Sequence, residues 1–296
     1  MSAGDLVSDI SMSVIGGYLG AGKTTLVNHL LRQAGPNGER IAVLVNDFGS
    51  VNVDLDLIES QDDDTIELSN GCICCSMVDG FSAALDTILA FDPRPSRLVV
   101  EASGVADPAQ VAAFGYGPGL ALDAVIVLAD AETIRTAVDD KYVGQTVRQQ
   151  LASAEVLVLN KADLVTADQL NETLAWIGAE WPDAFVLTTT NAQVEPEVIF
   201  GRASGRTFED PGHHHPERTF ATHALAPADP LTREQVAALM DSLPGETTVR
   251  AKGLVHLADE PDPFVLQRVG KRWTLRRTTQ PWPAEPATNI VVIQLS

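Results

Sequence analysis

Short apolar runs closed by turn-forming residues recur along the first two-thirds of the chain. Met12–Gly16, Ile41–Asn46, Leu98–Ala102, Ala124–Ala129, Val156–Asn160 and Phe185–Thr188 read as strands buried on both faces. Helix-period stretches fall between several of them: Lys23–Gln33, Phe81–Ala90, Pro108–Phe114, Gln145–Ala152 and Ala167–Glu180. Alternation of this kind predicts an α/β fold, a mainly parallel sheet with helices on both faces. Ligands on such sheets bind outside the carboxyl ends of the strands. The pattern breaks near Gly201. Residues 201–217, GRASGRTFEDPGHHHPE, are rich in Gly, Pro, His and charge and read as a linker. Beyond it, Thr219–Ala224, Gly253–His256, Phe264–Val269 and Ile290–Gln294 read as short strands and Arg233–Leu243 as an amphipathic helix. The expected domains are therefore 1–200, an α/β unit, and 218–296, a smaller α+β unit.

Each motif with candidate chemistry lies at one of the predicted strand ends. Gly17-Tyr18-Leu19-Gly20-Ala21-Gly22-Lys23-Thr24 satisfies the Walker A pattern, with Thr25 following. Its glycines let backbone N–H groups curl around phosphate oxygens at the positive end of a helix. Lys23 is placed to reach the β- and γ-phosphates and the Thr24 hydroxyl to ligate Mg²⁺. Asn160-Lys161-Ala162-Asp163 directly follows a strand. A carboxylate there accepts hydrogen bonds from the N1–H and exocyclic amine of guanine, whereas adenine would leave it unpaired. GTP/GDP is thus favoured over ATP, with Thr189-Thr190-Asn191 a candidate remainder of the base pocket. Glu101 and Asp47 also close strands. Each is a candidate for the magnesium shell or for positioning the attacking water, with capping of a loop or helix as the plainer alternative.

Charge and cysteine usage narrow the picture further. Twenty basic residues against forty acidic ones give a net charge of −20, a field that opposes a nucleic-acid backbone. No run of about 18 apolar residues is present, and the N-terminus lacks the pattern of a signal peptide, so a cytoplasmic protein without a membrane span is expected. All three cysteines, Cys72, Cys74 and Cys75, sit in Asn70-Gly71-Cys72-Ile73-Cys74-Cys75-Ser76. In a reducing compartment this cluster points to a late transition metal such as Zn²⁺, with Co²⁺ and Fe²⁺ not separable from it. A redox pair and inert packing are the alternatives. Two thiolates from one loop make half a tetrahedral site, and the third cysteine, an acid such as Asp54 or Glu67, a histidine, water or a partner's residue are candidates for the rest. His213, His214 and His215 form an internal triplet for which transient metal capture and plain solvation are equally open. The tryptophans at 176, 181, 273 and 282 are expected to pack. No arginine finger in cis is obvious, Arg135 and Arg148 being the exceptions left open, so slow intrinsic turnover is expected.

Taken together these residues resemble the CobW-type GTPases, a family of P-loop metallochaperones. The resemblance rests on GGYLGAGKTT (16–25), VNDFG (45–49) with Asp54 downstream, SNGCICC (69–75), EASGVADP (101–108), NKAD (160–163) and VRAKGLV (249–255). The family more often shows Asn-Glu-Phe-Gly and then Glu-Ile-Gly-Ile-Asp where this chain has NDFGSVNVD. The resemblance implies a GTPase that binds a transition metal in its GTP state and delivers it to a metal-requiring client protein on hydrolysis. Two other classes stay open beside it: a nucleotide-gated metal store without delivery, and a regulatory GTPase whose cysteines sense redox state.

Overall fold

The computed structural model describes residues 9–34, 40–45, 65–67, 77–200, 220–278, 282 and 285–295. Those residues fall into two compact units, one spanning Asp9–Ile199 and the other containing everything described from Phe200 onward.

The first unit is built on seven parallel strands: β1 (Ile10–Gly17), β2 (Ile41–Val45), β3 (Thr65–Glu67), β4 (Arg97–Glu101), β5 (Leu120–Asp130), β6 (Val156–Asn160) and β7 (Phe185–Thr188). Their spatial order is β3-β2-β4-β1-β5-β6-β7. The chain runs outward from β1 on one side, returns with β4, and then continues from β5 on the other side. β1 therefore lies where the winding reverses, the position at which open α/β sheets form a ligand crevice. Its helices are α1 (Lys23–Ala34), α2 (Met77–Leu89), α3 (Pro108–Ala112), α4 (Ile134–Asp139), α5 (Gly144–Ala152), α6 (Ala167–Glu180) and α7 (Pro196–Phe200).

Alternation along the strands sorts side chains to the two faces of the sheet. Ile10, Met12 and Val14 of β1 and Leu98 and Val100 of β4 enter one core with Phe81, Leu85, Ile88, Val111, Val147, Leu151 and Ile177 from the helices. Outside that core, α1 buries Leu26, Val27 and Leu30 and packs against β1 and β4. The Trp176 and Trp181 rings meet edge to face and pack on the main core, as expected of them.

Several elements differ from expectation. β5 begins at Leu120 rather than Ala124, because Asp123 is buried in the strand and lies 3.8 Å from Arg97 of β4. The stretch read as one helix to Phe114 ends as α at Ala112 and continues as a 3-10 turn over Ala113–Tyr116. β3, α4 and α7 have no counterpart in the pattern reading.

The second unit is a five-stranded antiparallel sheet in the order β11-β10-β9-β12-β8. The strands are β8 (Phe220–Leu225), β9 (Thr248–Val255), β10 (Phe264–Val269), β11 (Arg272–Arg277) and β12 (Asn289–Leu295). Helix α8 (Arg233–Ser242) opens with a Thr232/Gln235 capping box and lays Val236 and Met240 on Ala251, Val255, Phe264, Leu266, Ile290 and Val292. The buried Arg268 guanidinium donates to Met240 O and Leu243 O, carbonyls at the end of α8, and to Gly270 O. Burial lowers the pKa of Arg268, and nearby Asp241 opposes that shift. Among the described residues no helix is long and apolar enough to cross a membrane.

Candidate nucleotide and metal site

The Gly17–Thr24 loop connects β1 to α1 at the sheet's carboxyl edge. Gly22 adopts φ +104°, and a Cβ there would sit 2.5 Å from Asn160 Nδ2, so only glycine fits. Ala21 N donates to Tyr18 O at 3.2 Å and Leu26 N to Gly22 O at 3.0 Å, folding the loop onto the first turn of α1. Lys23 is nearly buried, and its Nζ donates to Tyr18 O across the loop at 3.4 Å. Gly20 and Ala21 stand within this turn, and Thr25 lies exposed on the first turn of the helix.

Thr24 Oγ1 donates to Glu101 Oε1 at 2.9 Å. Glu101 is only 3% exposed and closes β4, the neighbour of β1. A hydroxyl and a carboxylate thus converge beside the phosphate loop, from residues 77 apart in sequence.

The N-K-x-D segment is joined to the same loop. Asn160 Nδ2 donates to Ala21 O at 2.9 Å, while its Oδ1 accepts from Ala192 N at 2.9 Å. Asn160 therefore ties three loops together and is itself 2% exposed. Lys161 takes the left-handed conformation and its Nζ pairs with Asp130 Oδ2 at 2.7 Å. Ala162 N donates to Thr189 O, linking this segment to the Thr189-Thr190-Asn191 loop. Asp163, by contrast, is exposed. Asp130 is a member of this constellation that sequence reasoning missed; as an acid ending β5 it carried the same signal as Glu101. His29 of α1 contacts Val194 O at 3.1 Å, a structural role. Arg135 pairs with Glu172, and Arg148 with Asp139 and Glu180, all exposed helix-surface contacts.

Asp47, Asp54, the cysteines at 72, 74 and 75 and the histidine triplet 213–215 lie outside the described residues, as does the linker 201–217. Their flanks are informative. Across the sheet, Glu67 of β3 registers with Val45 of β2, Val45 with Glu101 of β4, and Glu101 with Ile15 of β1. The strand that leads toward the cysteines and the strand that leads toward Asp47 therefore end in one row with Glu101. At a strand spacing of about 4.8 Å, Glu67 and Glu101 are about 10 Å apart along that row.

Residues 11–184 match the family model described as CobW/HypB/UreG, nucleotide-binding domain, and residues 220–296 match the model for the cobalamin synthesis protein cobW C-terminal domain. The chain belongs to the CobW family. Its curated relatives include a Sinorhizobium protein called zinc chaperone CobW, 29% identical over 312 residues that cover 89% of this chain and 86% of that one. Another is the Escherichia coli protein called zinc chaperone YjiA, 29% identical over 310 residues, 97% of this chain and 94% of that one. Among solved structures, the crystal structure of Zn(II)-bound YjiA GTPase from E. coli aligns over 98% of this chain and 95% of that one, with 23% identity and a TM-score of 0.49. This CobW-family chain thus has the nucleotide-binding domain and the C-terminal domain of its family, with the Gly17–Thr24 loop, Glu101 and the Asn160–Asp163 segment on one edge of one sheet.

Proposed function

We propose that this protein is a GTP-hydrolysing metallochaperone that binds a transition metal, zinc foremost, through Cys72, Cys74 and Cys75 and passes it to a client protein in step with its nucleotide state. The observation that carries the reading is the row of strand ends Glu67, Val45, Glu101 and Ile15. It puts the approaches to the cysteines, to Asp47 and to the phosphate loop on one sheet edge.

In this reading the backbone N–H groups of Gly17–Thr24 cradle the phosphates and Lys23 balances charge at the β- and γ-positions. Asp163 accepts from guanine, and Asn160 holds that segment against the phosphate loop. The Thr24 hydroxyl and Glu101 carboxylate are hard oxygen donors within hydrogen-bond distance of each other, a set that fits Mg²⁺. Bound by them, the ion would neutralise charge on the phosphate oxygens. Asp47 is placed by sequence to respond to the γ-phosphate, as a metal-shell or water-positioning group. Soft thiolates suit zinc as cargo, and the names of the relatives support that choice over cobalt or iron. Hydrolysis removes the γ-phosphate, the loops around it relax, and the thiolate set loosens for transfer.

The test is phosphate release from GTP and from ATP by the purified protein with Mg²⁺, beside the Asp163→Asn variant. GTP-selective turnover that Asp163→Asn abolishes is expected. Equal turnover of ATP, or an unaffected variant, would remove the base assignment.

A further inference from the structure

The loop that leaves Glu101 is held by a side chain from a distant helix. Ala102 N donates to Ile15 O at 2.8 Å, the last bond to the sheet, and Asp107 caps α3 by accepting from Ala109 N at 2.9 Å. Between those anchors Ala106 N closes a turn on Ser103 O. Gln150 of α5, only 1% exposed, donates through Nε2 to both Gly104 O at 3.0 Å and Ala106 O at 2.8 Å. Both partners are carbonyls, which only accept, so the amide has a single workable orientation. Its Oε1 then faces a buried space and accepts no hydrogen bond among the described residues. A Cβ on Gly104 would meet Leu19 Cδ2 at 2.5 Å, so Gly104 adjoins both the Gly17–Thr24 loop and Gln150 of α5.

We propose that Gln150 is a positioning residue for GTP hydrolysis: it holds the Ser103–Asp107 loop so that Glu101 and Gly104 face the γ-phosphate end of the site. The inference rests on the GTPase reading above. A purely structural buried amide normally satisfies its acceptor as well as its donors. Here both protons are spent on two carbonyls of one loop, and the acceptor is left over. The two donated bonds fix the path of the loop between Ala102 and Asp107. Nothing about α5 otherwise requires a glutamine, since Val147 and Leu151 supply its packing.

The experiment compares Gln150→Met, similar in length and apolar, with the parent protein in GTP turnover, GDP binding and hydrogen exchange. Losing two neutral hydrogen bonds at a loop that acts in the chemical step should lower kcat about tenfold. KM for GTP and the Kd for GDP should stay within about twofold. Amide exchange at Gly104 and Ala106 should quicken by a similar factor while β1 and β6 are unchanged. An unaltered kcat with unaltered exchange would overturn the proposal, and so would an equal loss of GDP affinity, which would mark general structural support. If Gln150→Met does not fold, exchange in the parent decides: Gly104–Asp107 must differ in protection between GDP and a non-hydrolysable GTP analogue, and identical protection sinks the idea. Absent turnover in the parent would remove the GTPase reading instead, a result distinct from any of these.

Discussion

Replacing Asn160 by alanine removes two hydrogen bonds of 2.9 Å, one to Ala21 O and one from Ala192 N. Both backbone partners belong to buried residues, Ala21 at 2% and Ala192 at 0% exposure, so neither regains water when the amide is cut away. Each neutral bond contributes about 1 kcal/mol, and each stranded group adds a desolvation penalty of about 1 kcal/mol or more. A net loss of about 4 kcal/mol follows. For a domain of this size that corresponds to about 8–16 °C in Tm. GDP affinity should fall together with stability, because the phosphate loop and the base segment lose their common brace. The control is Asp163→Ala in the same motif. Its side chain is exposed, so it should melt with the parent yet bind GDP about 100-fold more weakly, having lost charged hydrogen bonds to the base. Thermal melting in the absence of nucleotide, followed by GDP titration, separates the two. An Asn160→Ala variant melting within about 2 °C of the parent would refute the framework role.

Three further outcomes are expected. Glu101→Gln should keep GDP binding but lower GTP turnover about 100-fold and raise the Mg²⁺ concentration required, because a neutral amide is a poorer hard-ion ligand beside Thr24; a magnesium titration of turnover checks it. Arg268→Leu should destabilise the second unit by about 3 kcal/mol, since it strands the carbonyls at the end of α8 that the guanidinium serves; denaturant unfolding followed by Trp273 fluorescence reports it. The backbone N–H groups of Tyr142 and Val143 hold the Asp140 carboxyl below the usual range. A depressed folded pKa contributes stability above the ordinary aspartate range and loses it only as pH falls through the lowered value. The melting difference between the parent and Asp140→Asn should therefore stay constant from neutral pH to about pH 4 and close below it.

Much of this fold can be read from one strand at a time, and what cannot has physical causes. β2, β6 and β7 are apolar runs followed or closed by turn residues, and local patterning suffices for them. β5 hides its first residues because Asp123 breaks the run, and only the partner Arg97 on β4 explains a carboxylate there. β3 is three residues long and owes its existence to pairing with β2. β11, RWTLRR, sits on a sheet edge where alternate positions are exposed and charged, so it carries little apolar signal. The site divides the same way. The Walker A loop, Glu101 and Asp163 are candidates on residue type and position alone. Asn160 as a brace, Asp130 as the partner of Lys161, and Gln150 as the holder of the Gly104 loop are relations between segments 139, 31 and 46 residues apart. A glutamine on a helix reads as surface until its neighbours are known.

A Zn²⁺ titration of the reduced protein with Mg²⁺ and either GDP or a non-hydrolysable GTP analogue decides whether metal affinity follows nucleotide state. The Cys72/Cys74/Cys75→Ser variant serves as the control. Linkage requires that zinc tighten analogue binding by the same factor that the analogue tightens zinc binding. Binding at least about tenfold tighter with the analogue, and lost in the serine variant, is the predicted result. Equal affinity in both nucleotide states, or affinity that survives loss of the thiols, would rule out nucleotide-controlled zinc binding by the cysteines.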